Sequence, residues 1–145
     1  MKNANRLLSL SLAAALCGCM PRAEPPASPA AKLVDAHNSR NSLDWAGAYE
    51  GVLPCADCPG TQTRLLLRMD GSFEIRTQYL ERQGAPQTAS GRFSWNDAGS
   101  RITLDAAGSG QQFQVGEGRL LQLNRDGSAP AWNAPNRVLT LQPQK

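Results

Sequence analysis

Apolar and polar residues alternate along most of the chain from residue 44 onward. Strict alternation over short runs is typical of half-buried β-strands that turn one face toward a core. Arginines such as Arg64, Arg68, Arg76 and Arg92 fall on the opposite, outward parity. The apolar positions predicted to face inward are, strand by strand, Leu65, Leu67 and Met69; Phe73, Ile75 and Tyr79; Phe93 and Trp95; Ile102 and Leu104; Phe113 and Val115; Leu121 and Leu123; Leu139 and Leu141.

Turn signals separate these runs at short intervals, among them Asp70-Gly71 and Asp126-Gly127. With residues 45–53 added at the front, the chain offers about eight strands joined mostly by short connections, and no window predicts an amphipathic helix. Eight antiparallel strands can close on themselves and remove exposed edges. We therefore predict one all-β, antiparallel up-and-down barrel over residues 44–145, with a two-sheet sandwich as the alternative. Several strands are too short for a transmembrane barrel.

The N-terminus carries a targeting pattern. Lys2 and Arg6 precede an apolar run of about ten residues, which is too short to cross a bilayer and is typical of a secretory signal peptide. The following "LCGC" resembles the lipobox of bacterial lipoproteins, with Gly18 before the acylated Cys19. We expect residues 1–18 to be removed and several acyl chains on Cys19 to anchor the chain in the membrane. By resemblance to Gram-negative sorting, Met20 in place of Asp favours the outer membrane, with the protein facing the periplasm.

Residues 19–43 are rich in Pro, Ala and Ser, and we interpret them as an extended tether between lipid and domain. His37, the single histidine, lies in this segment and is interpreted as a solvated linker residue. The formal net charge of +3 falls to about +1 once Lys2 and Arg6 leave with the signal peptide. Such a chain offers no clustered basic face, so nucleic acid is not expected as a partner.

Cys55 and Cys58 form a Cys-x-x-Cys pair in the connection after the first strand. A strand rather than a helix follows, so no helix N-terminus lowers the thiol pKa, and Asp57 opposes thiolate formation by like charge. A dithiol oxidoreductase is therefore disfavoured. Two interpretations remain open: a disulfide that braces the loop in an oxidising compartment, or two sulfur ligands for Cu(I).

Other chemistry lacks the necessary residues. The predicted domain has no histidine for a catalytic triad or dyad, so we expect a protein that is not an enzyme and requires no cofactor, with Cu(I) as the one candidate metal. Met69 is assigned to the core rather than to a metal site. Residues expected to be solvated carboxylates without partners are Glu50, Asp57 and Glu74, and those expected in the core are Trp45, Trp95 and Trp132.

The segment "WAGAYEGVLPCADCPGTQTRLLLRMDGSFEI" resembles the N-terminal domain of the NlpE outer-membrane lipoproteins. The resemblance implies a small lipocalin-like barrel, a role in copper resistance and homeostasis, and envelope stress signalling, with a Cpx-type sensor kinase as an expected partner. Functional residues of the family are matched in this sequence only by Cys19, the acylated position, and by the pair Cys55 and Cys58. Full-length members add a second barrel domain with a further cysteine pair; the present sequence ends after the first, so we expect none of that domain's functions.

Three functional hypotheses follow. Cys55 and Cys58 bind Cu(I) in a copper-responsive lipoprotein; or the barrel is an interaction module whose cysteines only brace a loop; or the barrel mouth carries a small apolar ligand. Short strands leave little lumen, and a filled interior would remove the third.

Overall fold

The computed structural model describes residues 37–131 and 134–143. Its elements are α1 (Ser39–Ser42), β1 (Gly47–Leu53), β2 (Thr61–Leu67), β3 (Ser72–Tyr79), β4 (Gln87–Trp95), β5 (Arg101–Leu104), a short 3-10 helix (Ala106–Gly108), β6 (Gln112–Gly116), β7 (Arg119–Gln122) and β8 (Val138–Leu141). The predicted signal peptide, Cys19, Trp132 and the tether before residue 37 lie outside the described residues. None of the helices among these residues has the length and apolar character needed to cross a bilayer.

The strands form a closed barrel in sequence order, and each pairs antiparallel with the next. Strand β8 returns to β1, where Tyr49 lies opposite Leu141 and Glu50 opposite Thr140. Closure pairs every strand on both sides and removes the exposed edge that an open sheet would leave. The predicted all-β, eight-stranded up-and-down barrel is confirmed, and the sandwich alternative is not observed.

The barrel interior is filled by inward side chains, which confirms most of the predicted parity. Tyr49, Phe73 and Phe113 are the largest side chains that are fully enclosed. The aliphatic residues buried with them are Leu53, Leu65, Leu67, Ile75, Ile102, Leu104, Val115, Leu120, Leu123 and Leu139. Because these side chains occupy the lumen, no room remains there for an apolar ligand of the lipocalin type.

Three predicted inward positions are wrong. Met69 is 78% exposed because β2 ends at Leu67 and Met69 lies in the following turn. Leu121 is only half-buried, since Leu120 is the residue paired with Val115 and Leu139 and pointing into the core. Tyr79 is 37% exposed because it ends β3 beyond the packed part of the barrel.

One end of the barrel is plugged by the residues that precede β1. The Arg40 backbone N–H donates to the Gly99 carbonyl at 2.9 Å, and the Ser39 hydroxyl donates to the Val115 carbonyl at 2.8 Å. Trp45 then packs against Phe93 and Trp95, with ring centroids 5.7 and 5.3 Å away. Residues 39–43 of the segment interpreted as a tether thus contact the barrel.

The buried Tyr49 links this plug to β1. Its hydroxyl donates to the Trp45 carbonyl at 2.7 Å, so the largest polar group in the core has a partner. Burial raises the pKa of Tyr49 to about 12, which keeps the hydroxyl protonated and able to donate. The predicted core assignment of Trp45 and Trp95 is confirmed.

Two hairpin turns repeat the same chemistry at opposite ends of the barrel. Asp70 follows β2 and accepts from the Ser72 backbone N–H and hydroxyl at 2.9 and 2.6 Å. Asp126 accepts from Ser128 in the same way, at 2.9 and 2.7 Å. Hydrogen bonds from these serines, side chain first, hold the pKa of each aspartate below its ordinary value.

We predict that stability falls at acid pH partly through these turns. Because the folded-state pKa is depressed, the contribution is complete above the unfolded value of about 3.9 and is lost as pH falls through the lower folded value. The Asp70→Asn/Asp126→Asn variant keeps an acceptor oxygen but loses the charge, so its urea midpoint should depend less on pH between 6 and about 2.5. Asp97→Asn is the matched control, since no hydrogen bond to its carboxylate is seen within the described ranges. An unchanged pH profile in the double variant contradicts the prediction.

A second prediction concerns the pairing of β1 with β8. A Cβ added at Gly51 would lie 2.6 Å from the Val138 carbonyl oxygen, a backbone atom that cannot turn aside. Gly51→Ala should lower the free energy of unfolding by ~1–3 kcal/mol, the usual cost of overpacking. Gly84→Ala is the control because its Cβ would meet no atom within 4 Å. Equal denaturation midpoints for the two variants would contradict the prediction and show that the junction of β1 and β8 tolerates the methyl group.

Candidate functional site

The Cys-x-x-Cys pair lies in the loop between β1 and β2, at the end of the barrel opposite α1. Cys55 and Cys58 form a disulfide with an S–S distance of 2.14 Å and a Cα–Cα distance of 5.3 Å. Leu53 at the end of β1 and Thr61 at the start of β2 are both buried, so the loop is held at both ends by core residues. Both cysteines are half-buried and Asp57 is exposed.

Asp57 ties this loop to the connection between β3 and β4. Arg82 donates to the Asp57 carboxylate at 2.6 Å, and its guanidinium stacks over the Tyr79 ring at 5.4 Å from the centroid. The Leu80 backbone N–H donates to the Gly60 carbonyl at 3.0 Å and adds a second link. The rim loop is therefore positioned by its neighbour as well as by its own disulfide.

The prediction that Glu50, Asp57 and Glu74 lack partners is wrong. Glu50 pairs with Arg64 at 2.6 Å across β1 and β2, where the two residues are directly opposite. Glu74 lies 3.7 Å from Arg68. The missed signal is register: a hairpin places outward residues of opposite charge side by side, which the spacing along one strand does not reveal. The exposed positions of Arg64, Arg68, Arg76 and Arg92 are confirmed.

The loop offers a compact set of potential metal ligands. The Cys55 and Cys58 sulfurs and a carboxylate oxygen of Asp57 all lie within 4.8 Å of one another. Two sulfurs suit Cu(I), whereas zinc wants four ligands and the described chain brings no histidine or third cysteine to this loop. The hard oxygen of Asp57 suits Cu(I) poorly and is already paired with Arg82. Met69 belongs to the turn after β2, at the opposite end of the barrel, and cannot supply a third sulfur.

A cavity of about 600 Å³ opens beside the disulfide at the same end of the barrel. Arg137, which the sequence analysis did not single out, lines it together with Cys55 and Tyr79. Arg137 shares the parity of the buried Leu139, and this parity was the signal that could have identified it. The hypothesis of an apolar ligand at the mouth is not supported, because the remaining lining is mostly polar: Ser109, Gln111, Gln112, Gln122, Asn124 and Arg125.

The described residues form a closed barrel with a cysteine-bearing rim loop, and the sequence before them carries a segment that resembles a lipobox. These features are typical of small-barrel lipoproteins. The comparisons with known proteins agree. The chain belongs to the NlpE family: the model of the NlpE N-terminal domain matches residues 49–143.

Two curated relatives are both named lipoproteins, which supports attachment to a membrane by lipid. Lipoprotein NlpE of Escherichia coli (strain K12) is 30% identical over 82 residues, which are 56% of this chain and 35% of the relative. The 17 kDa lipoprotein of Treponema pallidum (strain Nichols) is 37% identical over 49 residues, 34% of this chain and 31% of the relative. The matched part therefore spans about a third of each relative.

Among solved structures, a Shewanella oneidensis protein assigned as a lipoprotein aligns with a TM-score of 0.67 and 41% identity, over 74% of this chain and 97% of that one. The Cpx pathway activator NlpE from Escherichia coli aligns with a TM-score of 0.49 and 25% identity, over 68% of this chain and 51% of that one. The first of these supports the barrel fold independently of the family match.

The disulfide should contribute little to the stability of the barrel. A cross-link across so short a loop constrains the unfolded chain by ~2 kcal/mol at most in the loop-entropy model. Reduction should lower the free energy of unfolding by no more than this amount, with a correspondingly small fall in the urea midpoint, and should leave the far-ultraviolet circular dichroism spectrum unchanged. The Cys55→Ser/Cys58→Ser variant should show the same midpoint with and without reductant. Global unfolding on reduction would instead make the disulfide essential to the fold.

Proposed function

We propose that the protein is a lipid-anchored lipoprotein of the outer membrane, facing the periplasm, that is not an enzyme and binds Cu(I) through Cys55 and Cys58. The observation that carries the proposal is the sulfur pair on an accessible rim loop, with the ligand atoms of Cys55, Asp57 and Cys58 within 4.8 Å. Membership of the NlpE family supports a role in copper homeostasis. The lipobox-like sequence before Cys19 supports the location.

Copper binding requires the reduced pair. The disulfide takes two electrons and two protons from a protein dithiol, which is itself oxidised to a disulfide, and the S–S bond breaks to leave two thiols. Once the two thiol protons are lost to solvent, Cys55 and Cys58 would hold Cu(I) as two thiolates, the soft ligands that it prefers. Because the pair is braced by Arg82 and by the ends of β1 and β2, the sulfurs remain close after the bond is broken. The redox state of the pair thus decides whether copper is bound.

The experiment is an anaerobic Cu(I) competition titration of the purified full-length protein in a non-ionic detergent. Reduced, desalted protein should bind one Cu(I) tightly, and oxidised protein and the Cys55→Ser/Cys58→Ser variant should bind at least 100-fold more weakly, since each has lost both thiolates. Asp70→Asn is the matched control and should change the affinity less than threefold, because Asp70 lies in the turn after β2 at the opposite end of the barrel. Equal affinity in the reduced protein and the double serine variant contradicts the proposal and leaves the disulfide structural.

The proposal extends to envelope stress signalling, with a sensor kinase as partner, on the strength of family membership alone. A stress-responsive reporter in cells exposed to copper measures this part separately. Cells carrying the natural protein should respond to copper more strongly than cells carrying the double serine variant at equal protein level. Equal responses would show that signalling does not depend on the cysteine pair and would contradict this part of the proposal.

A further inference from the structure

The cavity at the open mouth of the barrel is lined by Arg137, whose guanidinium Nε–H has no acceptor among the described residues. The Arg137 Nε–H is buried, and no group in residues 37–131 or 134–143 accepts a hydrogen bond from it. No carboxylate of these residues lies within ion-pair distance of Arg137 either. A buried, unpaired guanidinium N–H is costly, and proteins rarely retain one without a use for it.

The position of Arg137 is fixed by the sheet. Its carbonyl accepts from the Gln122 backbone N–H at 2.8 Å, which extends the pairing of β7 with β8 by one step. Since Arg137 is two residues before the inward Leu139, its side chain is directed toward the barrel axis, above the packed core. Two further polar side chains, Thr61 and Thr63, are buried at inward positions of β2, where they are 8% and 2% exposed.

The charged side chains around the cavity are positive. Among the described residues that line it, Arg137 and Arg125 are the only charged ones. Within residues 37–131 and 134–143, neither arginine forms an ion pair, and Asp57 is paired with Arg82 instead. Two guanidinium groups without a counter-charge, in a concave site with partly excluded water, attract an anion.

The other lining groups favour a ligand larger than a simple ion. Side-chain amides of Gln111, Gln122 and Asn124 supply donors and acceptors, and the Tyr79 ring supplies an apolar surface. The Gln122 amide already donates to Gln111 at 3.1 Å, so part of this layer is ordered before any ligand arrives. A volume of about 600 Å³ falls within the range of sites for small organic molecules.

We propose that the mouth cavity is a binding site for a small organic oxyanion, a carboxylate or a phosphate, with Arg137 as its principal ligand. The planar guanidinium matches either group through paired N–H donors, and the bound oxyanion supplies the acceptor and counter-charge that the protein does not. Arg125 at the rim adds a second, more exposed positive charge. The site is separate from the copper proposal, although Cys55 borders both.

The test is isothermal titration of the oxidised full-length protein, in non-ionic detergent, with citrate, inorganic phosphate and sodium chloride in separate arms. Saturable one-to-one binding of citrate, of phosphate or of both is expected, and chloride at equal ionic strength should give none. Citrate in preference to phosphate identifies the carboxylate class, and the reverse identifies the phosphate class. Absence of saturable binding in both arms overturns the proposal.

Variants locate the site. Arg137→Gln should weaken binding at least tenfold, and Arg137→Lys should give an intermediate loss because it keeps the charge but not the planar donor pair. Arg76→Gln is the matched control, since Arg76 is an exposed arginine of β3 away from the cavity, and its affinity should equal that of the natural protein. Thermal unfolding checks that each variant folds. Unchanged binding in a folded Arg137→Gln variant, or equal losses in the Arg76 and Arg137 variants, contradicts the assignment.

Discussion

Closure of the barrel at the β1–β8 seam is the constraint on which the other features depend. The seam is short, with Tyr49 opposite Leu141 and Glu50 opposite Thr140, and the strands approach so closely at Gly51 that an added Cβ would lie 2.6 Å from the Val138 carbonyl oxygen. Beyond the seam, β1 runs into the disulfide loop, and the residue just before β8 is Arg137. Closure therefore brings the first and last thirds of the domain to one mouth. In an open sheet, the cysteine pair and Arg137 would lie apart.

The barrel divides into two halves with different physical character. Toward α1, aromatic and aliphatic side chains fill the lumen, and Trp45 and the hydroxyl of Tyr49 complete the seal. Toward the disulfide, polar residues join the buried Leu53 and Leu123: Thr61 and Thr63 are buried, and Arg137 lines the cavity where the interior opens. Apolar packing supplies the stability in the first half, because burial of such side chains is the main favourable contribution to folding. The second half contains the cysteine pair and Arg137, the groups proposed to bind ligands.

Much of the fold could be predicted from alternation alone, because a half-buried strand must place one face in the core. The limits of that reasoning have particular causes. Leu120 and Leu121 are adjacent, so either parity gives a plausible strand, and only pairing with Val115 and Leu139 selects Leu120. Met69 continued the pattern of β2, but the turn around Asp70 begins one residue earlier. Alternation cannot show where a strand ends.

The residues of the candidate site also differ in how far the sequence reveals them. Cys55 and Cys58 can be identified in the sequence because their spacing is itself the signal. Arg137 is one of many arginines, and only the structure shows that its Nε–H is buried without an acceptor among the described residues. The ion pairs Glu50–Arg64 and Asp57–Arg82 join residues 14 and 25 positions apart, so they depend on hairpin register and loop packing rather than on local pattern.

The plug at one end has a consequence for how such a barrel can diversify. Trp45, α1 and the packed core fix the strand positions from one side, and the connections at the other side form the mouth. These connections are residues 54–60, 80–86, 105–111 and 123–137. Changes in their length or composition alter what the mouth recognises while the strands beneath keep their positions. The same scaffold can thus acquire new specificities through four connecting segments, much as antibody domains do through their hypervariable loops.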